Sequence, residues 1–281
     1  MTRSSILKRI ESGNLNFSEM DLSGLNLSKL DLSGADFRRS NLSNADMYES
    51  KFTKANFSYA DMSRVTAYDA DFAKAQFTNT CLYRAKLRSS KFIKATMVEA
   101  DLSYSTVVMA NFTYANLDGA CLSDSDATLA GLEHATMRHA KIDGINLNSA
   151  SLRNTDLTDA TYHDVMLREA DITNTIGLKH GADVPKTGEF IAWKKVSRDR
   201  IVKLLIPADA KRTGCYGTEK CRASKAKVLS GYGYSLYDTM FLYRPGEIVK
   251  PSRYNPDPRL SCASGIHFFM TRELALNFAM I

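Results

Sequence analysis

Ala35-Asp36-Phe37-Arg38-Arg39 is followed by Ser40-Asn41-Leu42-Ser43-Asn44, then by Ala45-Asp46-Met47-Tyr48-Glu49 and Ser50-Lys51-Phe52-Thr53-Lys54. Each block of five opens on a small residue, continues with a polar one, sets a large apolar one in the middle and closes on two outward-reading ones. The rhythm returns at Ala60-Asp61-Met62 and Ala100-Asp101-Leu102. Every fifth residue from Phe17 to Ile172 gives 32 positions without an insertion or deletion: 8 Phe, 14 Leu, 4 Met and 2 Ile, with Val107, Tyr162, Ala67 and Ala127 as exceptions. Two residues earlier, Ala, Ser or Thr fill 25 of the 32 positions.

A period of five fits neither an amphipathic helix nor a flat strand. It suits a chain that turns a corner every five residues, with one large and one small side chain inward and three outward. Four sides close a coil of 20 residues, so the 32 units make 8 coils. At strand spacing, roughly 4.8 Å per coil, the rod is on the order of 40 Å long. Phe17, Phe37, Phe57 and Phe77 then fall on one face, and Phe52, Phe72, Phe92 and Phe112 on another. These are inward positions, so the expected ring ladders are core and not a ligand-stacking stripe.

The sequence resembles the pentapeptide-repeat family over about residues 15–176. The resemblance implies an all-β, right-handed quadrilateral β-helix for residues 15–178, ending at the Gly177 break. Residues 1–14 read as a cap: Ile6, Leu7 and Ile10 share one side of a short amphipathic segment that would protect the open edge of the first coil.

Beyond residue 178 the rhythm stops and the charge changes sign. Residues 1–180 carry a net −2 and residues 181–281 a net +8, within a total of +6. Apolar and alternating runs at 189–195, 200–206, 223–230, 239–249 and 265–270 predict strands, with a helical turn near 207–212 and a turn at Pro245-Gly246. Thr271 predicts the N-cap of a helix over 272–278. The expectation for 179–281 is a small basic α+β domain. Cys221-Arg222-Ala223-Ser224-Lys225-Ala226-Lys227-Val228 and Cys262-Ala263-Ser264-Gly265-Ile266-His267-Phe268-Phe269 resemble an uncharacterised domain found after pentapeptide repeats in bacteriophage and large-virus proteins. That resemblance implies viral origin and action inside a host cell, and carries no functional residues.

Cys215, Cys221, Cys262 and His267 are the right elements for a zinc set, but Cys-x5-Cys and Cys-x4-His depart from tight ligand spacing. A Cys262/His267 nucleophile pair lacks a third, orienting group. No Gly-rich phosphate loop occurs, so no cofactor, metal or catalytic residue is assigned. Five cysteines, an odd number without a dense framework, and no apolar leader in the first ten residues favour a reducing cytoplasm. A mean hydropathy of −0.26 and the lack of a long apolar run argue against a spanning helix.

The outward charges are banded. Residues 51–94 hold nine basic and three acidic side chains; residues 99–133 hold six acidic and no basic ones. Lys54, Lys74 and Lys94 lie one coil apart, a like-charge stripe that costs stability unless a partner uses it. With Arg84, with Asp118, Asp124 and Asp126 of the acidic band, and with Arg222 and Lys225 of the basic domain, they are the candidate partner-binding residues. Some pentapeptide-repeat proteins resemble B-form DNA and occupy the DNA site of gyrase. Here the repeat is only −2 overall, no loop interrupts it and a basic domain follows, which argues against whole-length mimicry. The reading reached is a non-enzymatic, cytoplasmic viral protein that binds and blocks or modulates a host protein, with nucleic-acid-handling and defence proteins as the candidate targets. Two alternatives stay open. One is nucleic-acid binding through Lys194, Lys195, Arg198, Arg200, Lys211, Arg212, Lys220, Arg222, Lys225 and Lys227 with nearby aromatics. The other is an enzyme of unknown type in the second domain. The sequence leaves the oligomeric state open.

Overall fold

A computed structural model describes residues 1–178, 184–216, 218–260 and 263–278. The chain forms two compact units, Met1–Leu178 and Lys179–Ile281.

In the first unit every coil pairs with the next through parallel bridges 20 residues apart, from Asn16↔Asp36 to Asp156↔Ile176. One unit shows why the five-residue block repeats. Asp36 N–H donates to Leu15 O (2.9 Å) and Phe37 N–H to Asn56 O (2.7 Å), which ties the coil to both neighbours. Arg39 N–H donates to Ser58 O (3.1 Å), and Ala35 N–H closes the preceding turn on Leu32 O (3.1 Å). The remaining donor, Arg38 N–H, is taken by the side chain of Asp36 at 3.0 Å. All five donors of the block are thereby satisfied. The recurrent Asp or Asn is an Asx cap on its own corner.

Each corner is a type II turn. Ser40 N–H bonds Phe37 O at 3.1 Å, and Arg39, the second central residue, has φ +57°. That region favours glycine, yet 28 of the 32 equivalent corner residues, Glu19 to Asn174, are not glycine. Inside, Phe17, Phe37, Phe57 and Phe77 stack with centroids 4.9–5.0 Å apart. Phe52, Phe72, Phe92 and Phe112 stack at 4.9–5.2 Å. The two ladders meet edge-on at 5.4–5.9 Å, the geometry aromatic quadrupoles favour.

The first coil has no predecessor, so the carbonyls equivalent to Asp36 O, Asp46 O and Tyr48 O lack a ladder donor. Helix α1 (Arg3–Glu11) covers three of them. Arg3 donates to Asn26 O and Ser28 O, both at 2.8 Å, and Arg9 donates to Asn16 O. Thr2 and Ser5 form the helix's capping box. Of the apolar residues expected to seal the coil, Ile6 is fully buried and Leu7 is exposed. At the other end Gly177 has φ +82°, and an added Cβ would meet Leu157 backbone atoms at 2.4–2.5 Å.

The second unit joins three small antiparallel sheets. β1 (Phe190–Val196), β2 (Arg200–Ile206), β5 (Ala226–Ser230) and β8 (Ile248–Val249) lie in that order. β3 (Arg212–Gly214), β4 (Cys221–Ala223) and β9 (Ile266–Phe268) make a second sheet, and β6 (Gly233–Tyr234) pairs with β7 (Leu242–Tyr243). Arg198 and Asp199, both at positive φ, form the type I′ turn between β1 and β2. Trp193 and Phe269 exchange backbone bonds of 2.9 and 2.7 Å, which joins the first two sheets. Helix α2 (Arg272–Asn277) is capped by Thr271, as its sequence predicts, and packs on β1. The expected strand over 223–230 is divided between two sheets by Ser224 and Lys225, and the expected helical turn near 207–212 is a tight turn running into β3.

Candidate functional site

Lys54, Lys74 and Lys94 occupy corner positions, at φ +62°, +61° and +58°, and all three are exposed. Their column continues through Tyr114 and His134. Lys94 Nζ stands 5.8 Å from the Tyr114 ring centroid, and the Tyr114 and His134 rings stack at 4.7 Å. Arg84 lies half a coil away, two corners from that column, its guanidinium 5.2 Å from the Tyr83 ring centroid. The Arg84 column runs on to Tyr104 and Asp124, and a hydrogen bond to the Asp124 carboxylate raises the pKa of the Tyr104 phenol.

The acidic band is less available than its composition implies. Asp126 accepts Thr128 N–H at 3.1 Å and Thr128 Oγ1 at 2.6 Å. Asp118 accepts Arg138 N–H at 3.0 Å from the coil above. There it replaces the Asx cap that Thr136, in the Asp position of that unit, does not supply. Asp124 stays exposed at its corner. Within the acidic band lies a feature the sequence reading missed. Tyr104, Met109 and Tyr114 hold three successive corners of one coil and are 53%, 49% and 53% exposed. The available signal was large apolar residues in the second place after the core residue, an outward position.

In the second unit Arg198, Arg200, Lys211 and Lys227 are exposed, but other basic residues expected to face a partner are used inside the fold. Arg222 is fully buried, with its guanidinium donating to Leu260 O and, at 2.5 Å, to Asp257 O. Arg212 donates to the carbonyls of Pro185, Gly188, Pro207, Ala208 and Ala210. Lys195 caps the end of α2 through Leu276 O and Phe278 O. Lys225 is ion-paired with Asp209. Lys194 points inward from β1, between Ala192 and Val196, and is only 5% exposed.

Lys194 and His267 line one pocket of about 310 Å³, together with Lys220, Tyr237, Asp238, Tyr243 and Arg253. Lys194 Nζ donates to His267 O at 3.2 Å and lies 5.6 Å from the Tyr243 ring centroid. Burial, and then the nearby Lys220 charge, push its pKa down to about 8. Burial, followed by Lys194, Arg222 and Lys220, pushes His267 down to about 3, so its imidazole is neutral at physiological pH. Cys215 and Cys221 are buried, and burial raises the Cys221 pKa. Cys262, and with it the zinc set and the Cys262/His267 pair, lies outside the described residues. Among the described residues no three His, Cys, Asp or Glu side chains gather to hold a metal ion, and no helix is long and apolar enough to cross a membrane.

Residues 13–39, 31–66, 70–106 and 130–161 match the pentapeptide repeats, in 8 copies. Residues 181–275 match a family of unknown function, DUF5758. No curated protein matches the chain. Among solved structures, HetL, a pentapeptide repeat protein involved in heterocyst differentiation regulation from the cyanobacterium Nostoc sp. strain PCC 7120, is 23% identical with a TM-score of 0.32, over 63% of this chain and 92% of that one. QnrB1, a plasmid-mediated fluoroquinolone resistance protein, is 16% identical with a TM-score of 0.44, over 57% of this chain and 90% of that one. Its unbroken five-residue register, parallel bridges one coil apart and two family matches make this chain a pentapeptide-repeat protein with a C-terminal DUF5758 domain.

Proposed function

We propose that this chain is a non-enzymatic interaction protein whose coil binds and blocks a partner protein. The carrying observation is the exposed trio Tyr104, Met109 and Tyr114, on three successive corners inside the acidic band, one coil on from Arg84 and Lys94. Tyrosine on a rigid backbone gives large contact area at little entropic cost, and tyrosines dominate binding hot spots. The flanking charges of Lys54, Lys74, Lys94 and Arg84 on one side and Asp124 on the other would orient a partner of complementary polarity. The inward use of Arg222, Arg212 and Lys194 leaves Arg198, Arg200, Lys211 and Lys227 as the exposed cations for the second reading, nucleic acid gripped by the second unit. The first reading extends to a viral, bacteriophage protein acting in the host cytoplasm, on the resemblance of the second domain alone.

The test is capture of host proteins on the full chain. One protein should be retained by wild type and lost with Lys54, Lys74 and Lys94 reversed to Glu. Tyr104→Ala with Tyr114→Ala should weaken the same complex by about 30-fold, from about 2 kcal/mol at a hot spot. Equal recovery by wild type and both variants would sink the proposal.

A further inference from the structure

One side of the coil carries its charges in an order that no ion pair within the chain answers. Parallel bridges stack Lys86 on Thr106 and Thr106 on Asp126 along the middle of that side. Its margins are two corner columns, Arg84, Tyr104 and Asp124 on one and Met109 on the other. In three successive coils the outward residues therefore form three rows: basic at Arg84 and Lys86, apolar at Tyr104 and Met109, acidic at Asp124 and Asp126. Arg84, Lys86, Tyr104, Met109 and Asp124 are exposed, and Asp126 is half-buried. With rows roughly 4.8 Å apart, the cations and the carboxylates stand on the order of 10 Å from each other, too far to pair. Elsewhere on the coil Lys29, Arg39, Arg138 and Arg153 each pair with a carboxylate of the adjoining coil at 2.6–3.8 Å; among the described residues Arg84 and Lys86 have no such pair.

We infer that this side is the docking surface for a second copy of the chain. A two-fold axis lying in the contact plane, along the row from Tyr104 to Met109, sets the two coils antiparallel. Arg84 of each copy then faces Asp124 of the other, and Lys86 faces Asp126. Tyr104 and Met109 close on their own equivalents. One symmetry operation thus answers both charged rows and covers the apolar one, which is the self-complementarity an isologous interface requires. An unrelated partner would have to present the same three rows in reverse order. Residues 1–180 carry only −2, so repulsion between two coils is small. The three rows cover roughly 14 by 16 Å, well short of a standard interface, so the dimer is a weak one. The inference meets the partner reading only at Tyr104 and Met109, where the second copy holds the surface until a partner displaces it.

Analytical ultracentrifugation of the full chain, with no partner present, tests this. Wild type should pass from monomer to dimer between about 10 and about 500 μM, the range of a small interface. Arg84→Asp and Asp124→Arg place residue types that other corners, Asp69 and Arg64, already hold at positive φ. Each reversal alone sets like charges face to face and should weaken self-association about tenfold or more. Mixed in equal amounts, the two variants set opposite charges face to face and should associate within about threefold of wild type. Recovery on mixing also shows that both variants are folded. A wild type still monomeric at about 500 μM, or a mixture that associates no better than its components, would overturn the inference. Neither result bears on capture of a host protein through Lys54, Lys74 and Lys94, so the two readings fail separately.

Discussion

The two units satisfy their polar groups in opposite ways. In the coil the blocks with an Asp or Asn cap satisfy their own donors, as Ala35–Arg39 does, and no ionisable side chain is fully buried inside. In the second unit Lys194 and Arg222 are buried among short strands and loops with carbonyls as acceptors, and their like charges, after burial, keep the adjoining His267 ring neutral. A periodic fold repeats one satisfied solution. An irregular one of similar size keeps local conflicts, and conflicts of this kind gather where function is built. The coil is thus a rigid support whose information lies on its corners, and the second unit is where chemistry is stored.

The sharpest break of that contrast is inside the coil. Phe72 stacks on Phe52 and Phe92 and meets Phe57 and Phe77 edge-on. Phe72→Ala should cost about 3–5 kcal/mol for the cavity, plus about 0.5–1.5 kcal/mol for each favourable ring pair lost. Chemical denaturation followed by far-ultraviolet dichroism measures it. A loss below 1 kcal/mol would mean that the neighbouring coils close over the gap.

Acid should separate the units. His267 is held near 3 in the folded state against 6.5 in the unfolded chain. Between those values the unfolded chain binds a proton that the folded one refuses, so stability is present above pH 6.5 and lost as pH falls towards 3. The full span is on the order of 4 kcal/mol. Lys194, near 8 against 10.5, has the same sign in a higher window: the second unit gains stability from pH 8 to 10.5. In the coil the window of Asp156 lies lower. Asp156, held near 2 by Thr158 and Arg138, loses its contribution only as pH falls from 3.8 towards 2. Trp193 is the single tryptophan and lies in the second unit. Its fluorescence should report unfolding at a pH well above the loss of β-helix dichroism. Coincident transitions would show that the units unfold as one.

At the coil's open edge the expected effect is smaller. Arg3→Ala removes donors from Asn26 O and Ser28 O, and charge-assisted bonds of this kind contribute about 1.5–3 kcal/mol. Water replaces part of that at an exposed edge, so about 1–2 kcal/mol should be lost. Hydrogen exchange should quicken in residues 15–35 and not in the central coils. Uniform quickening would mean that the coil opens as a whole.

The coil was legible because its constraint is local and repeated. Phe37 and Phe57 are inward for the same reason, and 20 residues per turn then fixes who stacks on whom. The corner chemistry was not legible in the same way, since Asp36, Arg38 and Arg39 are all polar and only geometry separates the cap from the left-handed residue. Asp118 shows the limit well. Its capping target, Arg138 N–H, is 20 residues away and is needed only because Thr136 stands where an Asx would be. In the second unit Lys194 reads as a surface cation until the register of β1 places it on the same face as Ala192 and Val196. Arg222 is hidden for a related reason, because its acceptors, Asp257 O and Leu260 O, belong to a proline-rich loop far along the chain.

The corners also permit a small test with a definite sign. Leu129 is 53% exposed, has φ +59° and donates its N–H to Asn148 O at 3.0 Å. Its side chain buries little, while its backbone carries the left-handed penalty of about 1–2 kcal/mol for an L-residue. Leu129→Gly removes that penalty and gives back about 0.5–1 kcal/mol as unfolded-chain entropy. The expected result is a gain of about 0.5 kcal/mol. Thr128→Gly, one residue earlier at ordinary φ, has no penalty to remove and loses the Asp126 contact. It should destabilise by about 1 kcal/mol, from backbone entropy and the lost hydrogen bond. Denaturation midpoints of the pair decide the matter, since a corner that is strained and a corner that is merely exposed predict opposite signs at Leu129. A loss at Leu129 would instead mean that packing along its own column is strong enough to outweigh the backbone.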